Sequence, residues 1–235
     1  MKLRATTGEI MRTGMMAVFC GIALFVLPLP AAAQTGEQAQ AGSTSAASAP
    51  TQAAAPAPAR TYFWIKDPWT KQKVMSSYPA PDQSLWDAKQ IQDYEAARKE
   101  KYFAPLGLLI IRDLNIEVPI YNGTEEHILD RGAGRIKGMA KMNEDGNLGI
   151  SAHRDSFFRG LKDIEMGDEV MVQSANGVVK YAVSNIRIVP KADVSVLAPV
   201  ETKTLTLVTC YPFYHQGAAP ERMIVTALPV VESLE

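Results

Sequence analysis

From Gly107 onward the chain is dominated by short runs in which apolar and polar residues alternate. A period of two is the pattern of half-buried β-strands, not of helices. The runs are Leu108 to Arg112, Ile116 to Tyr121, Leu148 to Ala152, Glu169 to Gln173, Val178 to Val189, Leu205 to Cys210 and Arg222 to Leu228. Turn chemistry separates them at Asn122-Gly123, Glu144-Asp145-Gly146, Met166-Gly167-Asp168 and Asn176-Gly177, the last reading as a tight hairpin. Val178 to Val189 is long for one strand and is expected to bend between two sheets. Thr124 to Arg131 and Phe157 to Leu161 read as short helical turns. The domain is therefore expected to be mostly β, and closing the sheet into a barrel would hide its edges.

The first hundred residues follow different rules. Residues 1–33 have the layout of an export signal. Lys2, Arg4 and Arg12 supply the positive start, Met15 to Leu29 the apolar run, and Ala31-Ala32-Ala33 the small residues of a cleavage site, with Gln34 as mature start. Met15 to Ala33 also approaches the ~20 residues that span a bilayer, so a retained membrane anchor stands as the alternative. Residues 34–60 contain almost no large apolar side chain and read as a disordered tether. Residues 61–83 are aromatic and proline-punctuated, with no assignable period, and form an N-terminal arm. Ser84 is expected to cap a helix from Leu85 to about Lys101 that buries Leu85, Ala88, Ile91 and Tyr94. The expected divisions are 1–33, signal or anchor; 34–60, tether; 61–106, arm and helix; and 107–235, the mostly-β domain.

Composition excludes some functions. The formal net charge of −1 provides no global field for nucleic acid or for an anionic surface. No metal-ligand spacing, phosphate loop or dinucleotide fingerprint is present, so no cofactor is expected. Of the two cysteines, Cys20 lies in the apolar leader, which leaves Cys210 unpaired in the domain. An unpaired thiol in an exported protein is either a buried, inert hydrophobe or a reactive group. The absence of a Cys-x-x-Cys pair argues against thiol-disulfide exchange.

The neighbours of Cys210 favour reactivity. Cys210 ends one alternating run and Arg222 opens the next, so pairing of the two strands would set thiol beside guanidinium. Gly149 to Ala152 leads to an imidazole at His153 in the same way. A thiolate, unlike a thiol, attacks an acyl carbon readily. Reference values of about 8.5 and about 6.5 leave only about 1% of an unassisted thiol–imidazole pair as thiolate and imidazolium. His153 can serve as base or as charge partner and then protonate a leaving amine. Arg222 cannot act as a base; it can hold an oxyanion, orient a carbonyl or favour the thiolate. A structural Arg222 paired with Glu221 is the competing reading. His215 competes with His153 from a loop, where a side chain is less firmly placed. His127 sits in a polar turn. Asp155 is expected to cap the turn that follows it rather than to orient His153.

These residues carry a family resemblance. Thr206-Leu207-Val208-Thr209-Cys210, the segment Ala152-His153-Arg154-Asp155-Ser156-Phe157-Phe158-Arg159-Gly160-Leu161, Arg222, and Leu129 to Ile136 occur in the order found in the sortases, and the chain resembles class D most closely. The match covers about Gly107 to Leu228. The resemblance implies a closed eight-stranded β-barrel with short helices. It implies a cysteine transpeptidase that cleaves an LPxTG-like C-terminal sorting signal between Thr and Gly. Cys210 would carry the thioacyl group, His153 would act as acid/base, Arg222 would hold the oxyanion and Thr209 would touch substrate. The partners implied are a substrate protein with that signal and an amine acceptor in the cell envelope. The leader style points to a Gram-negative source and a periplasmic domain, free or held at the inner membrane through residues 15–33. Hydrolysis at the same site, and a catalytically silent peptide-binding barrel, are the alternatives.

Overall fold

The computed structural model describes residues 59–100, 104–215 and 217–230. The leader, Cys20 and nearly all of the tether lie outside the described residues, within which no helix is long and apolar enough to cross a membrane. In chain order the main elements are β1 (Arg60–Lys66), β2 (Lys73–Pro79), α1 (Ala88–Lys99), β3 (Gly107–Ile111), β4 (Ile116–Asn122), α2 (Glu126–Leu129), β5 (Ala133–Arg135), β6 (Asn147–Ser151), β7 (Glu169–Ser174), β8 (Gly177–Pro190), β9 (Thr204–Tyr211) and β10 (Glu221–Pro229). Strands β3 to β10 close into an eight-stranded barrel in the order β10-β8-β7-β3-β4-β5-β6-β9. β4 with β5, and β6 with β9, run parallel; the other neighbours are antiparallel.

Alternation fills the barrel. Leu109, Ile111, Ile120, Ile150, Leu205, Leu207 and Val225 are fully buried inside it. Phe158 and Leu161 join this core from the 3-10 turn at Arg159–Asp163 and the residue before it. Each such side chain contributes about 1.5–3 kcal/mol by leaving water. The expected bend of the long strand is realised in β8, whose first half pairs with β7 and whose second half pairs with β10. A bulge skips Ser184 opposite Thr226/Ala227, and the Ser184 hydroxyl donates to the Thr226 carbonyl at 3.1 Å. The hairpin between β7 and β8 turns through Ala175 and Asn176, one residue earlier than the Asn-Gly pair suggests. Gly177, at φ +121°, opens β8 in a conformation that side chains rarely adopt.

Three local expectations change. The arm at 61–83 contains an antiparallel hairpin, β1 with β2, in unbroken register from Arg60↔Pro79 to Lys66↔Lys73. The helix starts later than Leu85. Asp87 accepts the Gln90 amide and Gln90 accepts the Asp87 amide, both at 2.8 Å, so this capping box fixes the start. Ser84 instead donates its backbone amide to Asp82, and Leu85 is 64% exposed. Ala88 is exposed as well, and the buried stripe is Tyr94 and Ala97, with Trp86 edge-on to both Tyr94 and Phe157. The third addition is β5, a three-residue strand from Ala133 to Arg135 that bridges β4 and β6 and completes the closure.

The hairpin is fixed to the barrel at its turn. Asp67 is buried there and accepts the amides of Trp69 at 2.7 Å and Thr70 at 2.8 Å, and the side-chain amide of Asn176 at 2.6 Å. Burial opposes ionisation of Asp67, but the combined hydrogen bonds outweigh it and hold the carboxyl below its ordinary value. A depressed folded value means that the stabilisation is present above the unfolded value and is lost as pH falls through the folded one. Asp67→Ala is expected to lower the unfolding free energy by about 1–3 kcal/mol at neutral pH. In chemical denaturation the wild type and the variant should converge in strong acid.

Candidate active site

Strand register decides which side chains face outward at one end of the barrel. On β9, Leu205, Leu207 and Thr209 share the core-facing side with Ala227, Val225 and Met223 of β10. Side chains alternate along a strand, so Cys210 stands on the outer face. Arg222 is its direct register partner on β10 and shares that face. β6 pairs with β9 from Asn147↔Thr204 to Ser151↔Val208. Continuing that register past the strand end places Ala152 beside Thr209 and His153 beside Cys210. The structure therefore gathers the three residues on neighbouring strand ends, on the outside of the barrel.

Each member is held by the backbone around it. Thr209 is 1% exposed, and its hydroxyl donates to the Ala152 carbonyl at 2.9 Å. That bond clamps the residue before His153 and leaves Thr209 no surface for a ligand. The His153 carbonyl accepts the Phe158 amide at 3.0 Å. Arg222 donates through Nη1 to the carbonyls of Glu221 at 2.8 Å and Ala219 at 3.3 Å. Among the described residues no carboxylate pairs with it, so its charge is not neutralised by Glu221.

Carboxylates surround the imidazole. His153 Nε2 lies 3.6 Å from Asp130 Oδ1 and 3.8 Å from Glu126 Oε1. Both come from α2 and the residue after it, the segment that leads into β5. A cleft of about 140 Å³ opens between this segment, the start of α1 and the His153 loop, with Asp87, Asp93 and Asp155 also on its walls. Burial pushes the Asp130 carboxyl above the ordinary carboxylate value of 3.8; His153 pulls it back, while Glu126 and Asp93 add to the rise. The donor atoms of Glu126, Asp130 and His153 lie within 4.8 Å of one another and could hold a divalent cation, which would take Nε2 out of proton transfer.

The other polar residues fall elsewhere. His215 is exposed on the β9–β10 loop, and its backbone carbonyl accepts from Arg154. His127 lies on the exposed side of α2. Asp155 does not cap the following turn; its carbonyl accepts the Arg159 guanidinium, and its side chain lines the cleft. Arg154 has a role that sequence reading missed. Its buried guanidinium donates to the carbonyls of His215 at 2.7 Å and Gly217 at 3.1 Å, fastening the β9–β10 loop to the segment that carries His153.

An ionised, partly buried carboxylate 3.6 Å from the imidazole can orient the ring. Because the Asp130 value is raised, that support is lost on acidification at a higher pH than for an ordinary carboxyl. Asp130→Asn is expected to lower kcat/KM about 3- to 10-fold near neutral pH and to erase that acid-side inflection. Glu126→Gln should change less, because the Glu126 side chain is 81% exposed. A pH–rate profile of each variant checks both statements.

Comparison with known proteins identifies a family and a fold. The Sortase domain family matches residues 109–230, a span that contains His153, Cys210 and Arg222. The chain is 37% identical over 120 residues to Sortase D of Bacillus subtilis, covering 51% of this chain and 61% of that protein. It is 34% identical over 137 residues to Sortase A of Staphylococcus aureus, covering 53% and 64% respectively. The matched regions thus span less than two thirds of either relative. The fold is similar to that of the Clostridium perfringens Sortase D5 transpeptidase, with a TM-score of 0.51 at 22% identity over 63% of this chain and 92% of that one. It is likewise similar to Sortase A from Corynebacterium diphtheriae in its lid mutant, with a TM-score of 0.52 at 22% identity over 63% and 96%.

Proposed function

The chain belongs to the sortase family, and from that premise we propose that it is a class D-like cysteine transpeptidase of the cell envelope. Its substrate is a protein ending in an LPxTG-like sorting signal, cut between Thr and Gly. The register pairing of Cys210 with Arg222, with His153 at the next strand end, is the observation that carries this reading.

The steps follow from the chemistry of those groups. The Cys210 thiolate attacks the carbonyl carbon of the signal's Thr, forming an Sγ–C bond and placing negative charge on oxygen. Arg222 lies on the same face as the thiol and offers donors to that oxyanion. Collapse breaks the C–N bond to Gly, and the His153 imidazolium gives its proton to the departing amine. An incoming amine then attacks the thioester, His153 takes its proton, and Cys210 is released as thiolate. Asp130 and Glu126, 3.6 and 3.8 Å from Nε2, face the ring and orient it. Water in place of the amine gives hydrolysis by the same steps.

Intact mass after incubation with an LPxTG-type peptide library, with and without an added amine, tests the proposal. A thioacyl adduct is expected on the wild type and not on Cys210→Ala. The product mass distinguishes amine transfer from hydrolysis. Loss of an oxyanion donor typically costs 10²–10³ in rate, so Arg222→Ala is expected to fall in that range, with Arg222→Lys intermediate. A folded protein with neither adduct nor cleavage would instead indicate a peptide-binding barrel.

A further inference from the structure

The β1–β2 hairpin has no part in the chemistry above, yet it holds the densest group of exposed large apolar side chains among the described residues. Tyr62 is 72% exposed, Met75 50% and Trp64 45%, while Trp69, in the turn, has its ring against Arg135 and Lys141. Register explains why they cluster. Phe63, Ile65, Val74 and Tyr78 face the barrel, so Tyr62, Trp64 and Lys66 of β1 share the outer face with Met75 and Lys73 of β2. Trp64 is paired with Met75 and Lys66 with Lys73, so the face is apolar in its middle and cationic toward the turn. Lys73 Nζ sits 5.2 Å from the Trp64 ring centre. Lys71 projects from the turn, and its ammonium donates to the Pro68 carbonyl.

The acidic groups nearby are occupied. Asp67 is buried under the turn amides, and Glu117 is paired with Arg60. Lys66, Lys71 and Lys73 therefore give the turn end an outward charge that no carboxylate among the described residues neutralises. Tyr and Trp rings flanked by lysine suit the headgroup layer of an anionic bilayer, where the rings sit at the interface and the ammonium groups meet anionic lipid. Chain connectivity agrees. The apolar run Met15 to Ala33 ends about 25 residues before β1, and such a connection spans at most about 90 Å in any conformation.

We infer that the outer face of the β1–β2 hairpin is a membrane-docking surface, seated on anionic phospholipid headgroups through Tyr62, Trp64, Met75 and Lys66, Lys71 and Lys73. The inference rests on the envelope sortase reading for its setting and holds whether the apolar leader is cleaved or retained. Docking would fix the orientation of the barrel relative to the bilayer.

Tryptophan fluorescence tests it, because residues 1–58 contain no tryptophan and the apolar leader is therefore silent. Full-length protein is mixed with vesicles whose acyl chains carry bromine, made either of phosphatidylglycerol with phosphatidylethanolamine or of phosphatidylcholine alone. Emission is expected to shift to the blue and to be quenched in the anionic vesicles, several-fold less in phosphatidylcholine, with the difference removed by high salt. Trp64→Phe/Trp69→Phe should lose the quenching, since Trp86 is packed against Tyr94 and Phe157. Lys66→Gln/Lys71→Gln/Lys73→Gln should require about a hundredfold more lipid, each lysine being worth about fivefold. Equal quenching in both lipids, or none in either while the protein is vesicle-bound, overturns the inference. So does an emission change driven by soluble peptidoglycan fragments, or by protein concentration alone, which would assign the face to a glycan or to a second copy. None of these readings depends on catalysis, so the thioacyl assay judges the sortase reading separately.

Discussion

Strand β9 is paired on both sides, parallel to β6 and antiparallel to β10, and that double pairing fixes its register. A slip of one residue would turn Leu205, Leu207 and Thr209 to solvent and bury Cys210. Several kilocalories per mole of apolar burial, about 1.5–3 for each leucine, therefore hold the thiol on the outer face. The same ladder brings Arg222 and His153 to that face without any direct side-chain bond among the three being required. The chemistry sits where the alternation of a packed core ends.

Around this frame the charges are arranged unequally. Arg222 is held by carbonyl oxygens alone, so its positive charge stays available on the thiol side. His153 faces carboxylates from α2 and the residue after it, with Asp130 partly buried and Glu126 open to water. At similar distances, the buried partner acts through a lower effective dielectric and carries more of the coupling than the exposed one. Arg154 completes the support from behind by joining the His153 segment to the β9–β10 loop through main-chain carbonyls.

Much of this was legible in the sequence, for a physical reason. The strands that form most of the barrel are long enough for alternation to be read, and the thiol, imidazole and guanidinium stand at their ends. What was missed lacks such a signal. β5 has three residues, two of them Ala and Gly, and owes its strand conformation to β4 and β6 on either side. β1 and β2 alternate in the wrong sense for a simple reading, because Tyr62, Trp64 and Met75 are exposed while Ser76 and Ser77 are partly buried. The start of α1 depended on choosing Asp87 over Ser84 as cap, and the reciprocal partner Gln90 was the deciding residue. Asp130 was out of reach of a sequence reading, because nothing local ties it to His153 across the intervening strands.

Closure of the barrel also limits how any peptide can be recognised. Each barrel strand has a neighbour on both sides, which leaves little open edge on the barrel for an extended ligand to join as an added strand. On the proposed function, side chains on the outer face and the loops at its rim, among them the β9–β10 loop between Cys210 and Arg222, are then the surfaces left to recognise a peptide. That loop owes its position to buried Arg154 and to Tyr211 and Phe213, which pack edge to face against each other and against the core. A rigid barrel with a loop fastened at its rim keeps thiol and guanidinium fixed while leaving the ligand-facing surface free to vary, and this separates the constraint on chemistry from the constraint on specificity.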